Sequence, residues 1–201
     1  MTTDEILDIL ELRFPNAHCE LVHQNPFELL VAVVLSAQTT DAAVNKITPA
    51  LFEAFPTPKA LASANSKEVE AKIRRIGLYR NKARSIQALS ASLVEHFDGQ
   101  VPQSMKELTS LAGVGRKTAN VVRSVCFDIP AIAVDTHVER IAKRLGLAKV
   151  GDSVEVVEQK LKRKIKRERW NRAHHLFIFF GRYQCTARNP QCCLLYTSDA
   201  A

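Results

Sequence analysis

The chain has 201 residues and a formal net charge of +7, which is enough length for one or two domains with a hydrophobic core. A basic balance is compatible with a polyanionic partner but does not identify one. No apolar run reaches the roughly 18 residues of a membrane-spanning helix, and the N-terminus lacks the pattern of a secretion signal, so we expect a cytoplasmic protein. An odd set of five cysteines in such a chain argues against a disulfide framework.

Helix caps followed by periodic apolar side chains indicate that the first hundred residues are helical. The stretch after Asn25-Pro26, FELLVAVVLSA, is apolar on nearly every face, which predicts a central helix surrounded by others. Pro49 is expected to restart a helix, and Asn81–Phe97 has the periodicity of a longer amphipathic helix. Other helices are predicted to start at Asp4, at Thr40 or Asp41, at Thr57 and at Ser66.

The second half of the chain continues the helical pattern, and no segment shows the clean alternation of a strand. Ser104 and Glu107 form a capping-box pair before a short helix, and a second helix is predicted from about Arg116 to Phe127. Further helices are predicted to open at Asp135, Asp152 and Ala173. We therefore predict an all-α fold of about ten helices.

The segment LAGVGRKTANVV, residues 111–122, links two of these predicted helices by a turn that contains two glycines. Glycine reaches backbone angles that other residues avoid, so the turn is predicted to be a tight hairpin. The N–H groups that begin the second helix, together with its dipole, suit a phosphate, and Lys117 lies in that first turn. A plain helix–helix turn with a solvated lysine is the alternative, since a lone GxG is common.

LAGVGRKTANVV followed by AVDTHVER closely resembles the helix–hairpin–helix and catalytic aspartate of the endonuclease III family. Members are bifunctional DNA glycosylases that also act as lyases at abasic sites. The resemblance spans about residues 25–192 and implies two helical lobes that flank a DNA-binding cleft. Residues 19–129 would form a six-helix barrel with the hairpin, and residues 1–18 with 130–201 would form the second domain.

The resemblance implies a base-excision-repair enzyme that removes oxidised pyrimidines from double-stranded DNA and acts as a monomer. Lys117 would attack C1′ of the damaged nucleotide, form a Schiff base and permit β-elimination. Asp135 would handle protons and the positive charge that develops on the sugar. Without the resemblance, Asp135 is equally well explained as a helix N-cap, and both roles can hold at once.

DNA contacts also follow from the resemblance. LSAQTTD is similar to a loop that inserts a glutamine, here Gln38, into the duplex, and IGLYRNKA is similar to a second wedge loop whose tip is Leu78. Such wedges replace a base that leaves the stack. His137 is expected to contact DNA in the cleft. A phosphate clamp is expected from the backbone of Gly113, Val114, Gly115 and Arg116. The alternatives are a polar loop residue for Gln38 and a core leucine for Leu78.

Members of this family commonly end with four cysteines, spaced C-x6-C-x2-C-x5-C, that hold a [4Fe–4S] cluster. Cys185 and Cys192 satisfy the first interval, but the next two positions are Leu195 and Ala201. Cys193 directly follows Cys192, and adjacent residues cannot easily bind separate irons of one cluster. We therefore predict that the cluster is absent or incomplete in this chain.

Two alternative functions remain open at the level of sequence. A monofunctional glycosylase of the same fold is disfavoured by Lys117, because such relatives lack a lysine at that position. A non-catalytic helix–hairpin–helix module that only binds DNA would need neither Lys117 nor Asp135.

Overall fold

The computed structural model describes residues 1–192, and these contain helices and no strand. The α-helices are α1 (Thr3–Arg13), α2 (Pro26–Leu35), α3 (Asp41–Asn45), α4 (Thr48–Ala54), α5 (Pro58–Ala62), α6 (Ser66–Ile73), α7 (Tyr79–His96), α8 (Met105–Ser110), α9 (Arg116–Phe127), α10 (Thr136–Arg144), α11 (Val154–Lys164) and α12 (Trp170–Phe179). The all-α prediction is confirmed. The described part holds twelve α-helices, close to the ten or so predicted, and the three short ones within residues 41–62 match the expected starts near Asp41, Pro49 and Thr57.

The chain divides into two compact units. One unit is Glu20–Phe127, which contains α2 to α9. The other combines Met1–Cys19 with the chain from Asp128, and it contains α1 and α10 to α12. Within residues 1–192, no helix is both long and apolar enough to cross a membrane.

Helix α2 is the centre of the unit Glu20–Phe127. Asn25 caps it by accepting a hydrogen bond from the Glu28 N–H at 2.9 Å, and Pro26 occupies the first turn, where no N–H is needed. Every residue from Phe27 to Leu35 is buried, and α2 packs against α7 and α9. The predicted central helix is confirmed, since a helix apolar on all faces gains free energy by being covered on all of them.

The other unit has its own core, in which α10 and α12 pack together and α1 packs on α12. Arginines of the C-terminal part fix α1 by charge-assisted bonds. Arg169 binds Asp4 at 3.1 Å and Asp8 at 2.8 Å, and the Arg172 Nε donates to Glu11 at 2.7 Å. Two basic residues of the C-terminal part are therefore paired with acidic residues of α1.

The starts of several helices differ from the predicted residues. Asn65, not Ser66, caps α6, because its side chain accepts a hydrogen bond from the second residue after it. Ser153, not Asp152, caps α11, since the serine hydroxyl accepts the bond from the helix. Helices α7 and α12 also begin earlier than predicted, at Tyr79 and Trp170.

Candidate active site and DNA-binding elements

The helix–turn–helix segment begins with a cap on α8. The Ser104 hydroxyl accepts a hydrogen bond from the Glu107 N–H at 3.2 Å and donates one to the Glu107 carboxylate at 2.6 Å. The glutamate thus binds the hydroxyl of the cap rather than its backbone, which is a modified capping box. Buried Leu108 and Leu111 anchor the end of α8 and the start of the turn.

Gly113 occupies a position that strongly favours glycine. Its φ is +75°, in the left-handed region. A Cβ at this position would lie 3.1 Å from the Ser85 Cβ and 3.3 Å from the Val34 Cγ1. The turn is therefore packed closely against α2 and α7, and both the backbone angle and the packing disfavour a side chain at this position.

Gly115 is different, because a Cβ there would meet nothing within 4 Å. Its carbonyl accepts the Ala119 N–H at 3.0 Å, which makes it the residue that precedes the first turn of α9. Gly115, Arg116 and Lys117 are all exposed. N–H groups in a first helical turn lack intrahelical acceptors, so this exposed surface is suited to an anion such as a DNA phosphate.

Lys117 lies in the first turn of α9 with its side chain exposed. It forms no hydrogen bond or ion pair with any other residue of the described range. Its amine is therefore uncommitted in the protein, directly beside the surface that suits a phosphate. A nucleophilic amine needs this availability, because an ion pair would hold it in the protonated state.

Asp135 caps α10 with a single carboxylate oxygen. Its Oδ1 accepts the N–H groups of His137 and Val138, both at 2.8 Å. Among residues 1–192, no donor binds the second oxygen. The capping interpretation is correct, and it leaves one oxygen of this half-buried residue available for another role.

His137 is half-buried in the first turn of α10, with its Nδ1 3.2 Å from a guanidinium nitrogen of Arg140. Arg140 also donates to the Gly181 carbonyl at 2.8 Å. Burial lowers the pKa of His137 below its usual value, opposed by Asp135 and assisted by Arg140 and Arg182. The lowered pKa favours the neutral form of the ring, which is suited to hydrogen bonding.

The two predicted wedge residues share an unusual backbone conformation. Gln38 has a φ of 53° and Leu78 a φ of 57°, although neither is glycine. Both side chains are exposed, Leu78 to 59%, so Leu78 is not a core leucine. A left-handed conformation costs a non-glycine residue about 1–2 kcal/mol. Such strain is found mainly where the position of a side chain matters.

Sequence reasoning missed Lys82, which connects these two loops. Its side chain is only 6% exposed, and its Nζ donates a hydrogen bond to the Thr39 Oγ1 at 2.7 Å. Thr39 directly follows Gln38, and Lys82 lies one turn after Leu78. The available signal was a lysine on the inward side of the amphipathic helix α7, where the periodicity calls for an apolar residue.

Known proteins with similar sequences belong to a family of DNA repair enzymes. Residues 31–167 match the family described as HhH-GPD superfamily base excision DNA repair protein. Endonuclease III of Bacillus subtilis (strain 168) is 55% identical over 186 residues, which cover 92% of this chain and 85% of the relative. Endonuclease III of Escherichia coli (strain K12) is 45% identical over 188 residues, or 94% and 89% of the two chains. The chain belongs to the endonuclease III family.

Solved structures of endonuclease III with DNA are similar over nearly the whole chain. One is a trapped covalent intermediate in an estranged-adenine complex, with a TM-score of 0.91, 58% identity, and coverage of 94% of this chain and 89% of the other. A non-covalent DNA complex has a TM-score of 0.93, 56% identity and coverage of 98% and 94%. As an endonuclease III, the protein is a base-excision-repair DNA glycosylase and lyase, and DNA is its partner.

Endonuclease III proteins typically carry a [4Fe–4S] cluster, and two of the predicted ligand positions lie within the described residues. Cys185 is fully buried, and Arg144 donates to its sulfur at 3.2 Å and to its carbonyl at 3.2 Å. The Cys192 thiol is hydrogen-bonded to Cys185, and its pKa is raised, first by burial and then by the neighbouring Cys185. Cys193, Leu195 and Ala201 lie outside the described residues.

No group of three or more histidine, cysteine or acidic side chains that could hold a metal ion occurs in residues 1–192. Sequence reasoning did not identify Arg144, the last residue of α10, as a partner of the loop between the two cysteines. Besides Cys185, its guanidinium binds the carbonyls of Thr186 at 2.7 Å and Ala187 at 3.1 Å. These bonds hold the loop between the two cysteines through its backbone.

Proposed function

We propose that this endonuclease III removes oxidised pyrimidines from double-stranded DNA, with Lys117 as the nucleophile and Asp135 as its acid–base partner. The proposal depends chiefly on the exposed and uncommitted amine of Lys117 in the first turn of α9. A relative that is 58% identical has been captured as a covalent intermediate with DNA. That observation supports a nucleophile that forms a bond to the substrate.

The chemistry follows from the amine. The neutral amine of Lys117 attacks C1′. The bond between C1′ and the base nitrogen breaks, and the electron pair of that bond leaves with the base. The lysine nitrogen loses a proton and the sugar ring opens, which yields a Schiff base between Lys117 and C1′. Removal of a C2′ proton then expels the 3′ phosphate by β-elimination, and hydrolysis of the Schiff base restores the lysine.

Asp135 has a separate task in this scheme. The free oxygen of its carboxylate accepts protons and stabilises the positive charge of the sugar, while Oδ1 holds the carboxylate in place through its two N–H bonds. His137, which packs beside Gly181, contributes a hydrogen bond to the DNA backbone.

DNA is positioned by the hairpin and opened by the two wedge loops. The exposed backbone of Gly115 and Arg116, which continues the turn made by Gly113 and Val114, binds a phosphate without reading the base sequence. Gln38 and Leu78 enter the duplex where the damaged base leaves the stack. Because the substrate is chromosomal DNA, we place the protein in the cytoplasm, at the nucleoid.

A complete iron–sulfur cluster has no part in this scheme. Thiolates hold these clusters, and the family's four positions contain only Cys185 and Cys192, followed by Leu195 and Ala201. The donor set therefore does not fit a cluster with four cysteine ligands.

Borohydride trapping on a duplex with one abasic site tests the nucleophile. We expect the unaltered protein to form a covalent adduct, and Lys117→Ala to form none while it still binds the duplex. Lys106→Ala is the matched control, because Lys106 is another exposed lysine, in the helix before the turn, and it should trap normally. Full trapping by Lys117→Ala would overturn the assignment of the nucleophile.

A further inference from the structure

Lys82 links the two wedge loops, with its backbone in the first turn of the helix that follows Leu78 and its side chain on the loop of Gln38. The backbone N–H of Lys82 donates to the Leu78 carbonyl at 3.0 Å, and its Nζ donates to the Thr39 Oγ1 at 2.7 Å. The Thr39 N–H in turn donates to the Ser36 carbonyl at 3.0 Å, which closes the turn around Gln38. Lys82 is thus in contact with both strained loops, across 43 residues of sequence.

The environment of Lys82 is energetically unfavourable for a charged lysine side chain. The side chain is 6% exposed, and burial lowers its pKa. Within the described residues, the only side-chain partner of its ammonium is the neutral hydroxyl of Thr39, and no carboxylate pairs with it. Burial of a charge without a counter-charge is unfavourable, whereas a methionine would fill the same space at no such cost. The bond to the Gln38 loop is the contact that a methionine would lack.

The two loops need such a connection because their tips must act together. Each tip carries one residue in a left-handed conformation that costs free energy, and an isolated exposed loop relaxes to other conformations. A hydrogen bond between the loops makes the position of one tip depend on the other. If Gln38 and Leu78 together fill the space left by one base, the two side chains must enter the duplex at a fixed distance from each other.

We propose that Lys82 is a positioning residue that holds the Gln38 and Leu78 tips in register for insertion into duplex DNA. This inference rests on the wedge role given to those residues in the proposed function. Insertion is needed only where a base must be displaced from a paired stack. Loss of Lys82 therefore slows excision from duplex DNA and leaves excision from single-stranded DNA unchanged.

The test uses single-turnover excision of the same oxidised pyrimidine from a duplex and from the single strand. Lys82→Met removes the donor, and Thr39→Val removes the acceptor with little change of shape. Each is expected to lower the duplex rate about 10-fold, which corresponds to roughly 1.4 kcal/mol. The double variant should lose about 10-fold rather than 100-fold, because both changes remove one shared bond. The single-strand rate should stay the same in all three.

Lys67→Met is the matched control, since Lys67 is an exposed lysine in the same unit, and it should leave both rates unchanged. Equal losses on duplex and single strand for Lys82→Met would show a role in stability alone and would overturn the proposal. Independent, multiplicative losses in the double variant would do the same. Thr39→Val keeps the test decisive if Lys82→Met does not fold.

Gln38→Ala and Leu78→Ala, measured in parallel, separate this inference from the function on which it rests. A duplex-selective loss in these two variants with normal rates for Lys82→Met and Thr39→Val would refute the role of Lys82 and leave the wedges in place. Equal losses on both substrates for Gln38→Ala and Leu78→Ala would refute the wedge role itself.

Discussion

Asp135 shows how one side chain serves both the fold and the chemistry. Its two hydrogen bonds from the first turn of α10 converge on one oxygen. They fix the rotation of the carboxylate and leave the other oxygen without a donor in residues 1–192. Because both bonds go to one oxygen, the full acceptor capacity of the other oxygen is available for the reaction.

Replacement of Asp135 separates these two roles. Asparagine caps a helix about as well as aspartate does, so Asp135→Asn should melt at nearly the same temperature as the unaltered protein. Its rate of base removal should fall by about 10²-fold or more, the scale of acid–base assistance. Asp135→Ala should show the same fall and also lose about 1 kcal/mol of stability with the cap.

Ser153→Ala is the control for these variants, because Ser153 caps α11 in the same unit. It should lose a comparable amount of stability while base removal continues at the normal rate. An unchanged rate in Asp135→Asn would leave Asp135 with a capping role only.

At the scale of elements, the α8–α9 hairpin contains two glycines that are needed for different reasons. Gly113 is required by the fold, since its backbone is left-handed and it packs against Ser85 and Val34. A Cβ at Gly115 would have no neighbouring atom within 4 Å, so the fold does not require glycine there. The absence of a side chain at Gly115 instead lets another backbone approach the N–H groups of α9.

Two alanine substitutions distinguish these reasons. Gly113→Ala should destabilise the protein by about 1–2 kcal/mol from the left-handed backbone alone, as measured by urea unfolding. Gly115→Ala should unfold at the same urea concentration as the unaltered protein but bind an abasic duplex more weakly, because a methyl group would stand where the phosphate approaches. Normal DNA binding by Gly115→Ala would place the phosphate contact elsewhere.

The sequence predicts this element well because its signals are local. A serine cap, two glycines and the periodicity of the flanking helices lie within a few residues of each other. The sequence could not show that the fold requires glycine at 113 but not at 115, because the close contacts at Gly113 come from side chains of α2 and α7. Nor could it predict the bond from Lys82 to Thr39, which joins residues far apart in the chain. The left-handed angles at Gln38 and Leu78 were hidden because neither residue is glycine.

The chain begins in one unit, forms the second and returns to the first after Asp128. Each unit buries its own core, and the returning part fastens α1 through Arg169 and Arg172. The resemblance to the endonuclease III family implies a division into two parts, but these ion pairs join positions more than 150 residues apart. No local pattern indicates which acidic residue a given arginine will meet.

The segment that follows α12 has cysteines at two of the family's four cluster-ligand positions. Cys185 and Cys192 already lie in contact, and Arg144 holds the loop between them, so half of a four-thiolate site exists. Thiolates are missing at Leu195 and Ala201, and two correctly placed ligands cannot retain a cubane. Protein purified without oxygen should therefore lack stoichiometric iron and sulfide.

A variant with both Leu195→Cys and Ala201→Cys should bind about four irons per chain and unfold at a higher temperature, since ligand binding to the folded state adds to its stability. The matching double replacement by serine should gain neither iron nor stability. Four irons per chain in the unaltered protein would show that other side chains complete the ligand set.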